Sequence, residues 1–251
     1  MKHKYGLIGY PLSHSFSPKY FSEKFQKEGI KDTSYELFPL EKIEDLKALL
    51  AKEKNLRGLN VTAPYKEKVI PFLDELSEEA AAIEAVNTIH ILPNKLVGHN
   101  SDVFGFEYAL SDFLAQNKQS ITTLSALVLG TGGAAKSAAY VLKKMGIDNL
   151  LISRSLNKGD LTYSEIDQQV MLAHQLIVNT TPLGMPKNLD TYPPIPYENL
   201  NDKHLLFDMV YNPEKTVFLE RGIKAGCAIS NGLMMLHHQA NKSWEIWQTQ
   251  Q

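Results

Sequence analysis

Cysteine is nearly absent from this chain, with Cys227 the only one among 251 residues. One thiol cannot build an intrachain disulfide framework or a cysteine-rich zinc site, and a reducing cytoplasm is the expected setting. An excess of either charge is missing too: 26 Lys and Arg stand against 28 Asp and Glu, for a formal charge of −2. The basic residues are scattered among acids, so nothing predicts binding to a nucleic-acid backbone, and any anion site must be local. Long apolar runs are also lacking. The opening MKHKYGLIGYP starts basic, but its apolar run stops at Pro11. That is too short for a signal-peptide core or a membrane span, and no later segment is long enough. There is no repeat, no low-complexity tract, and no cluster of side chains that suggests a metal.

What is present is a globular composition. A hydrophobic share of 43% over this length supports one large or two modest domains with real cores. Short apolar runs alternate with amphipathic stretches: KYGLIG as strand, 18–29 as helix, SYELF as strand, LEKIEDLKALL as helix, RGLNVT as strand. A helix over IPFLDELSEEAAAIEA follows, then strands in VNTIHIL and KLVGHN. Ser17 before Pro18 reads as a helix start, with Ser as cap and Pro at the first helical position. A helix from Phe104 leads into the polar connector QNKQS, after which LSALVLG, NLLISR, QLIVNTT, HLLFDMV and CAIS continue as βα units. The pattern is that of two α/β domains with a seam near 102–120.

The second half carries LVLGTGGAAKSAAYVLKKMG, an apolar strand that turns through Gly130 and Gly132 directly into a helix, with Ala135 at the third position of a G-x-G-x-x-G/A spacing. The first glycine makes a tight turn, the second lets a pyrophosphate approach the backbone, and the small third residue lets helix and strand pack closely. Phosphates would then sit at the positive end of the helix; a merely tight strand-to-helix turn is the alternative. An acid at the end of the next strand would hold the ribose hydroxyl of NAD. The chain has ISRSLNK there instead. Ser153 is uncharged and Arg154 and Lys158 follow, which favours the 2′-phosphate of NADP over an ordinary charged surface loop.

The first half has no such glycine motif, but its strand ends are dense in small polar residues. Ser13, Ser15 and Ser17 share one loop; Asn60, Thr62 and Lys66 share GLNVTAPYKEKV; Asn87 sits in AVNT; Asn100, Ser101 and Asp102 sit in GHNSDVFGF. Hydroxyls, amides, one amine and one carboxylate suit a small polyhydroxylated acid. Taken singly, each has a structural alternative: a serine can cap a helix, Asn87 can serve a turn, Lys66 can be solvated, and Asp102 can cap the helix near Phe104. Their joint occurrence at successive strand ends favours a site.

In order and over nearly the whole chain, GYPLSHSFSP, GLNVTAPYK, AVNT, GHNSD, GTGGAA, SRS, NTTPLGM, DMVYNP and NGLMMLHHQA resemble the shikimate dehydrogenase family. The resemblance implies an N-terminal α/β substrate domain (1–103, joined by a C-terminal helix at 232–251) and a Rossmann-like NADP-binding domain (104–231), with the active-site cleft between them. It implies NADPH-dependent reduction of 3-dehydroshikimate to shikimate, on the route to chorismate and the aromatic amino acids, by a monomer or homodimer. By the same resemblance Ser15, Ser17, Asn60, Thr62, Asn87, Tyr211 and Gln239 serve substrate binding, and Lys66 with Asp102 forms the catalytic pair. Gly130, Gly132, Gly133, Ala134 and Ala135 would cradle the pyrophosphate, and Arg154, Ser155 and Lys158 would meet the 2′-phosphate. Thr180, Met209 and Gly232 would lie near the rest of the cofactor. The chain departs from the family where GDNTDG becomes GHNSDV, placing His99, Ser101 and Val103, and where Lys158 replaces an Arg. A quinate-oxidising relative, or a ligand-sensing homologue without catalysis, is the competing reading.

The C-terminal segment NGLMMLHHQANKSWEIW has Asn231 as a helix cap and Leu233, Leu236, Ala240, Trp244 and Trp247 at helical spacing, with Gln239 on the buried side. His237 and His238 are adjacent, so they face different ways and make no two-ligand metal site.

Overall fold

The computed structural model describes residues 2–12 and 15–249, so the expectation for Ser13 lies outside the described residues. The chain separates into two compact units, Met1–Ser101 with Ala240–Gln251, and Asp102–Gln239.

The first unit is built on β1 (His3–Gly9), β2 (Thr33–Pro39), β3 (Leu56–Val61), β4 (Glu75–Leu76), β5 (Thr88–Ile91) and β6 (Leu96–His99), with α1 (Ser17–Lys27), α2 (Leu46–Lys52) and α3 (Glu78–Ile83). The strands form one sheet in the order β2-β1-β3-β5-β6-β4. It is mixed: β1 runs parallel to β2 and β3, while β5 is antiparallel to β3 and β6. One core gathers Ile8, Leu46, Leu59, Val61, Val69 and Ile89. A second is aromatic: Phe21 stacks on Tyr35 at 4.3 Å, Tyr5 stacks on Trp247 at 4.9 Å, and the Trp247 indole donates to the Ile89 carbonyl at 3.0 Å. Gly58 is required beside it, because a Cβ there would run into that indole.

The second unit runs α4 (Ser101–Gln116, whose first residue still belongs to the first unit), β7 (Ser125–Leu129), α5 (Gly133–Lys144), β8 (Asp148–Ser153), β9 (Leu161–Thr162), α6 (Gln168–Ala173), β10 (Leu176–Asn179), β11 (Leu205–Asp208), α7 (Val217–Lys224), β12 (Ala228–Ser230) and the start of α8 (Leu233–Gln248). Its sheet order is β12-β11-β10-β7-β8-β9, with every pairing parallel. Ala126–Leu129, Leu176–Asn179 and Leu205–Asp208 are buried throughout, as central parallel strands covered on both faces must be. This is the doubly wound Rossmann order, and its reversal between β7 and β10 marks where such sheets bind ligands, beyond the carboxyl ends of the strands.

Several local expectations change. The helix expected over IPFLDELSEEAAAIEA is instead a 3-10 turn at Ile70–Phe72, the short β4, and α3. Pro71 falls in the first turn, where a helix does not use its missing amide, so the break comes further along. Pairing with β6 then takes the segment: Asp74 N donates to Leu96 O at 2.9 Å and Ser77 N to Gly98 O at 2.8 Å. Ser77 restarts the helix by accepting from Ala80 N at 3.3 Å. Ser17 is not a cap. It lies in the first turn of α1 behind Phe16, and its amide donates to the Ser15 hydroxyl at 3.3 Å. The helix expected from Phe104 begins at Ser101, so Asp102 stands in the first turn, where the helix dipole favours an anion. Asn231 does accept from Leu233 N, at 3.1 Å. Finally, α8 divides between the units: Met235 and Gln239 pack on Gly105 of α4, while Ala240, Trp244 and Trp247 enter the aromatic core of the first unit.

Candidate functional site

The strand ends of the first unit meet in a buried polar cluster. Asn60, at the end of β3, accepts from the Tyr35 hydroxyl at 2.8 Å; its Nδ2 donates to Ser243 Oγ at 2.9 Å and approaches Asn87 O and Thr88 Oγ1 at 3.3 Å each. The Asn60 amide is thus held by the protein's own groups. Asn87, just before β5, accepts from Ser101 N at 2.7 Å, and its Nδ2 donates to Ser101 Oγ at 3.0 Å, which fixes the plane of its amide. Burial pushes up the pKa of the Tyr35 hydroxyl that bonds Asn60, and nearby Ser17 opposes that shift. His99 is held below its ordinary pKa by burial and by neighbouring His90, so its ring is uncharged near neutral pH.

Among the described residues of the two loops flanking this cluster, backbone groups are hydrogen-bonded and the polar side chains are half-buried. Tyr10 N donates to Ala63 O at 3.3 Å and Thr62 N to Ile8 O at 3.0 Å, and a Cβ on Gly9 would collide with the Thr62 side chain. Tyr65 turns into the core and donates to Leu40 O at 2.6 Å, which leaves Lys66 to project elsewhere. The Lys66 carbonyl accepts from Val86 N at 2.8 Å, so its backbone lies against the segment that carries Asn87. Ser15, Ser17, Thr62 and Lys66 are all half-buried, in reach of solvent yet anchored. Lys66 belongs to the first unit, whereas Asp102, buried, opens the second.

In the second unit Gly130 adopts φ +120°, and a Cβ on it would stand 2.6 Å from Thr180 Oγ1, so glycine is demanded twice over. Thr180 is tied to the same turn, its hydroxyl donating to Leu129 O at 2.7 Å. Gly132 differs: a Cβ there would meet nothing within 4 Å. The protein's own packing does not require glycine at that position, and the space in front of the α5 N-terminus is open to a group approaching the backbone amides. Gly133 and Ala134 form the first turn of α5, and Ala135, fully buried, seats that helix on the sheet. After β8, Ser153 Oγ accepts from Ser155 N at 3.2 Å and pins the loop, while Arg154, Ser155 and Lys158 are exposed. This turn and loop fit a dinucleotide carrying an additional phosphate.

Met209 N donates to Asn179 O at 2.9 Å, and a Cβ on Gly232 would run into the Met209 carbonyl, so 209 and 232 are brought together. Tyr211 is half-buried, which raises its hydroxyl pKa. Gln239 sits on α8 against Gly105, one turn beyond Asp102 on α4.

Sequence reasoning missed Asp208 and Asn179, both fully buried. Asp208 accepts from Asn179 Nδ2 at 2.9 Å, Val210 N at 3.0 Å and Thr216 Oγ1 at 2.6 Å. Burial outweighs these bonds and raises its pKa to about 6. The available signal was an acid closing the apolar run HLLFD beside a strand closing in Asn179. Tyr35, Thr88 and Ser243 were also missed, since a lone hydroxyl in an apolar element carries no signal. Among the described residues no cluster of His, Cys, Asp or Glu is arranged to hold a metal, and no helix is long and apolar enough to cross a membrane.

A family profile described as the shikimate dehydrogenase substrate binding domain matches residues 7–89. The chain is 41% identical over 257 residues to the NADP(+) shikimate dehydrogenase of Clostridium beijerinckii, covering 97% of this chain and 91% of that relative. Among solved structures it is similar to shikimate 5-dehydrogenase from Thermus thermophilus in complex with NADP(H) and shikimate (TM-score 0.85, 28% identity, 98% of this chain and 93% of that one). It is also similar to a quinate dehydrogenase from Corynebacterium glutamicum in complex with NAD (TM-score 0.86, 27% identity, 98% and 94%).

Proposed function

The chain belongs to the shikimate dehydrogenase family, and from that premise we propose that it catalyses the reversible NADPH-dependent reduction of 3-dehydroshikimate to shikimate, an oxidoreductase step towards chorismate and the aromatic amino acids. The observation that carries this reading is that the likeness spans 97% of the chain, so one sequence keeps both the serine and lysine loops of the first unit and the glycine turn of the second. Ser15, Ser17, Thr62, Asn87, Tyr211 and Gln239 bind the hydroxyls and carboxylate of the substrate, while Asn60, held internally, supports Asn87 from behind. Gly130, Gly132, Gly133, Ala134 and Ala135 receive the pyrophosphate of NADP, Arg154, Ser155 and Lys158 its 2′-phosphate, and Thr180, Met209 and Gly232 the remainder.

When bound, NADPH supplies the hydride for the ketone carbon. Lys66, an ammonium donor, faces the reacting oxygen and hands it a proton as the alcohol forms. Asp102, in the first turn of α4, is the partner assigned to that amine in returning the proton. The anchored backbone around Lys66 and the fixed amide of Asn87 hold the ring in place, which is how a positioned proton donor gains its advantage.

The working form we infer is a monomer or homodimer in the cytoplasm acting on small molecules alone. Cys227 is buried and its thiol pushed up to about 11, which suits a chain that does not use thiol chemistry. The test is NADPH absorbance with shikimate and quinate, each against NADP and NAD. We expect the highest kcat/KM for shikimate with NADP. A higher value for quinate with NAD would favour the quinate reading, to which the Corynebacterium likeness points. Absence of turnover with every pair would leave only a ligand-sensing protein.

A further inference from the structure

Three hydroxyls close a triangle inside the first unit: Thr88 Oγ1 to Ser243 Oγ at 2.8 Å, Ser101 Oγ to Ser243 Oγ at 3.0 Å, and Thr88 Oγ1 to Ser101 Oγ at 3.2 Å. They come from β5, from the first residue of α4 and from the last turns of α8, and all three are removed from water. Their directions are set from outside. An amide NH2 only donates, so the 2.9 Å bond from Asn60 Nδ2 makes Ser243 Oγ an acceptor there. Thr88 Oγ1 and Ser101 Oγ both lie within hydrogen-bond distance of that hydroxyl, inside the triangle. On the far side Ser101 Oγ accepts from Asn87 Nδ2 at 3.0 Å, and Thr88 Oγ1 reaches Asn87 Oδ1 at 3.1 Å. Ser243 therefore sits between the two asparagines, one hydroxyl away from each end of the Asn87 amide. It also lies four residues beyond Gln239, on the same side of α8.

A buried hydroxyl is unfavourable unless it is hydrogen-bonded, and alanine would fill most of this space without that penalty. Ser243 is placed where its loss disorders a specific pair of amides instead of a stretch of apolar packing. We propose that Ser243 is a positioning residue for shikimate: its hydroxyl joins α8 to the ends of β3 and β5 and to the start of α4, and so sets the orientation in which Asn87 meets the substrate. The inference rests on the function proposed above. Ser243 touches neither substrate nor cofactor and acts through Ser101, Thr88 and Asn60.

The test is steady-state kinetics and equilibrium shikimate binding on the full chain carrying Ser243→Ala, with thermal unfolding alongside. Loss of one buried hydrogen-bonding group commonly amounts to about 1.5 kcal/mol, roughly a tenfold change. We expect KM and Kd for shikimate to rise about tenfold, KM for NADP to stay within about twofold, and kcat to fall by less than KM rises. If the alanine variant folds poorly, Ser243→Cys keeps a similar volume with a much weaker hydrogen-bonding group, and the same selective rise is expected. A lowered Tm with unchanged shikimate KM, or equal rises in KM for shikimate and NADP, would overturn the inference and leave Ser243 a packing residue. A wild-type chain that does not turn over shikimate would instead remove the functional reading, and this inference with it.

Discussion

Asp208 offers a test in which opposite outcomes are expected from two substitutions at one atom group. Its carboxyl is fully buried and moved by burial from an ordinary 3.8 to about 6, against the pull of hydrogen bonds from Thr216, Val210 N and Asn179. Between about pH 4 and 6 the native chain holds a proton that the unfolded chain has released, so stability is fully present below the unfolded value and declines as pH rises through the native one. One pKa unit is about 1.36 kcal/mol, so this single group accounts for about 3 kcal/mol lost by pH 7. Asp208→Asn cannot ionise. Its Oδ1 retains the bonds from Asn179 and Val210, and its Nδ2 donates to Thr216 Oγ once that hydroxyl turns its own proton away. The variant should match or exceed wild type above pH 6 and lose that advantage near pH 4. Asp208→Ala leaves the Asn179 amide and the Val210 N–H buried without an acceptor, at about 1 to 3 kcal/mol each, for about 2 to 6 kcal/mol in all. The assay is urea unfolding of the three proteins from pH 4 to 8. An Asp208→Asn variant as unstable as Asp208→Ala at pH 7, or a gap between wild type and Asp208→Asn that does not change with pH, would refute the reasoning.

Three other outcomes follow from the geometry. Lys66→Ala and Asp102→Asn should each lower kcat by about a hundredfold or more, the usual range for acid–base groups, and near wild-type kcat in both would remove the catalytic pair. Arg154→Ala should raise KM for NADP by roughly ten- to a hundredfold, from about 1.5 to 3 kcal/mol for one charge-assisted bond, and adding Lys158→Ala should deepen that loss while KM for NAD changes little; equal losses for both cofactors would show that these exposed cations serve the loop and not the 2′-phosphate. Gly58→Ala should destabilise the fold by about 1 to 3 kcal/mol through overpacking, because the new methyl meets the Trp247 indole that also bonds Ile89 O, and an unchanged melting temperature would contradict that packing.

The glycine turn was legible in the sequence because its requirements are local: Gly130 must take a positive φ, Gly132 must leave the helix start open, and Ala135 must be small where helix meets strand, all within six residues. The same holds for the parallel sheet of the second unit, whose strands are buried on both faces and read as unbroken apolar runs, and for the charge of the loop after β8, where Ser153 stands in place of an acid. The first unit was less legible. IPFLDELSEEAAAIEA has a helical composition, yet pairing with β6 drew Asp74 and Ser77 into extended structure, a contact that no local period encodes. The amide of Asn60 looked substrate-facing from its place at a strand end, and only the fold brought Ser243, 183 residues away, to within 2.9 Å of it. Asp208 likewise became a group with a pKa of about 6 only when its sheet closed around it. Steric limits on the backbone and the alternation of burial act over a few residues and are written in their spacing. The satisfaction of a buried polar group depends on which distant donor arrives, and that is decided only when the chain has folded.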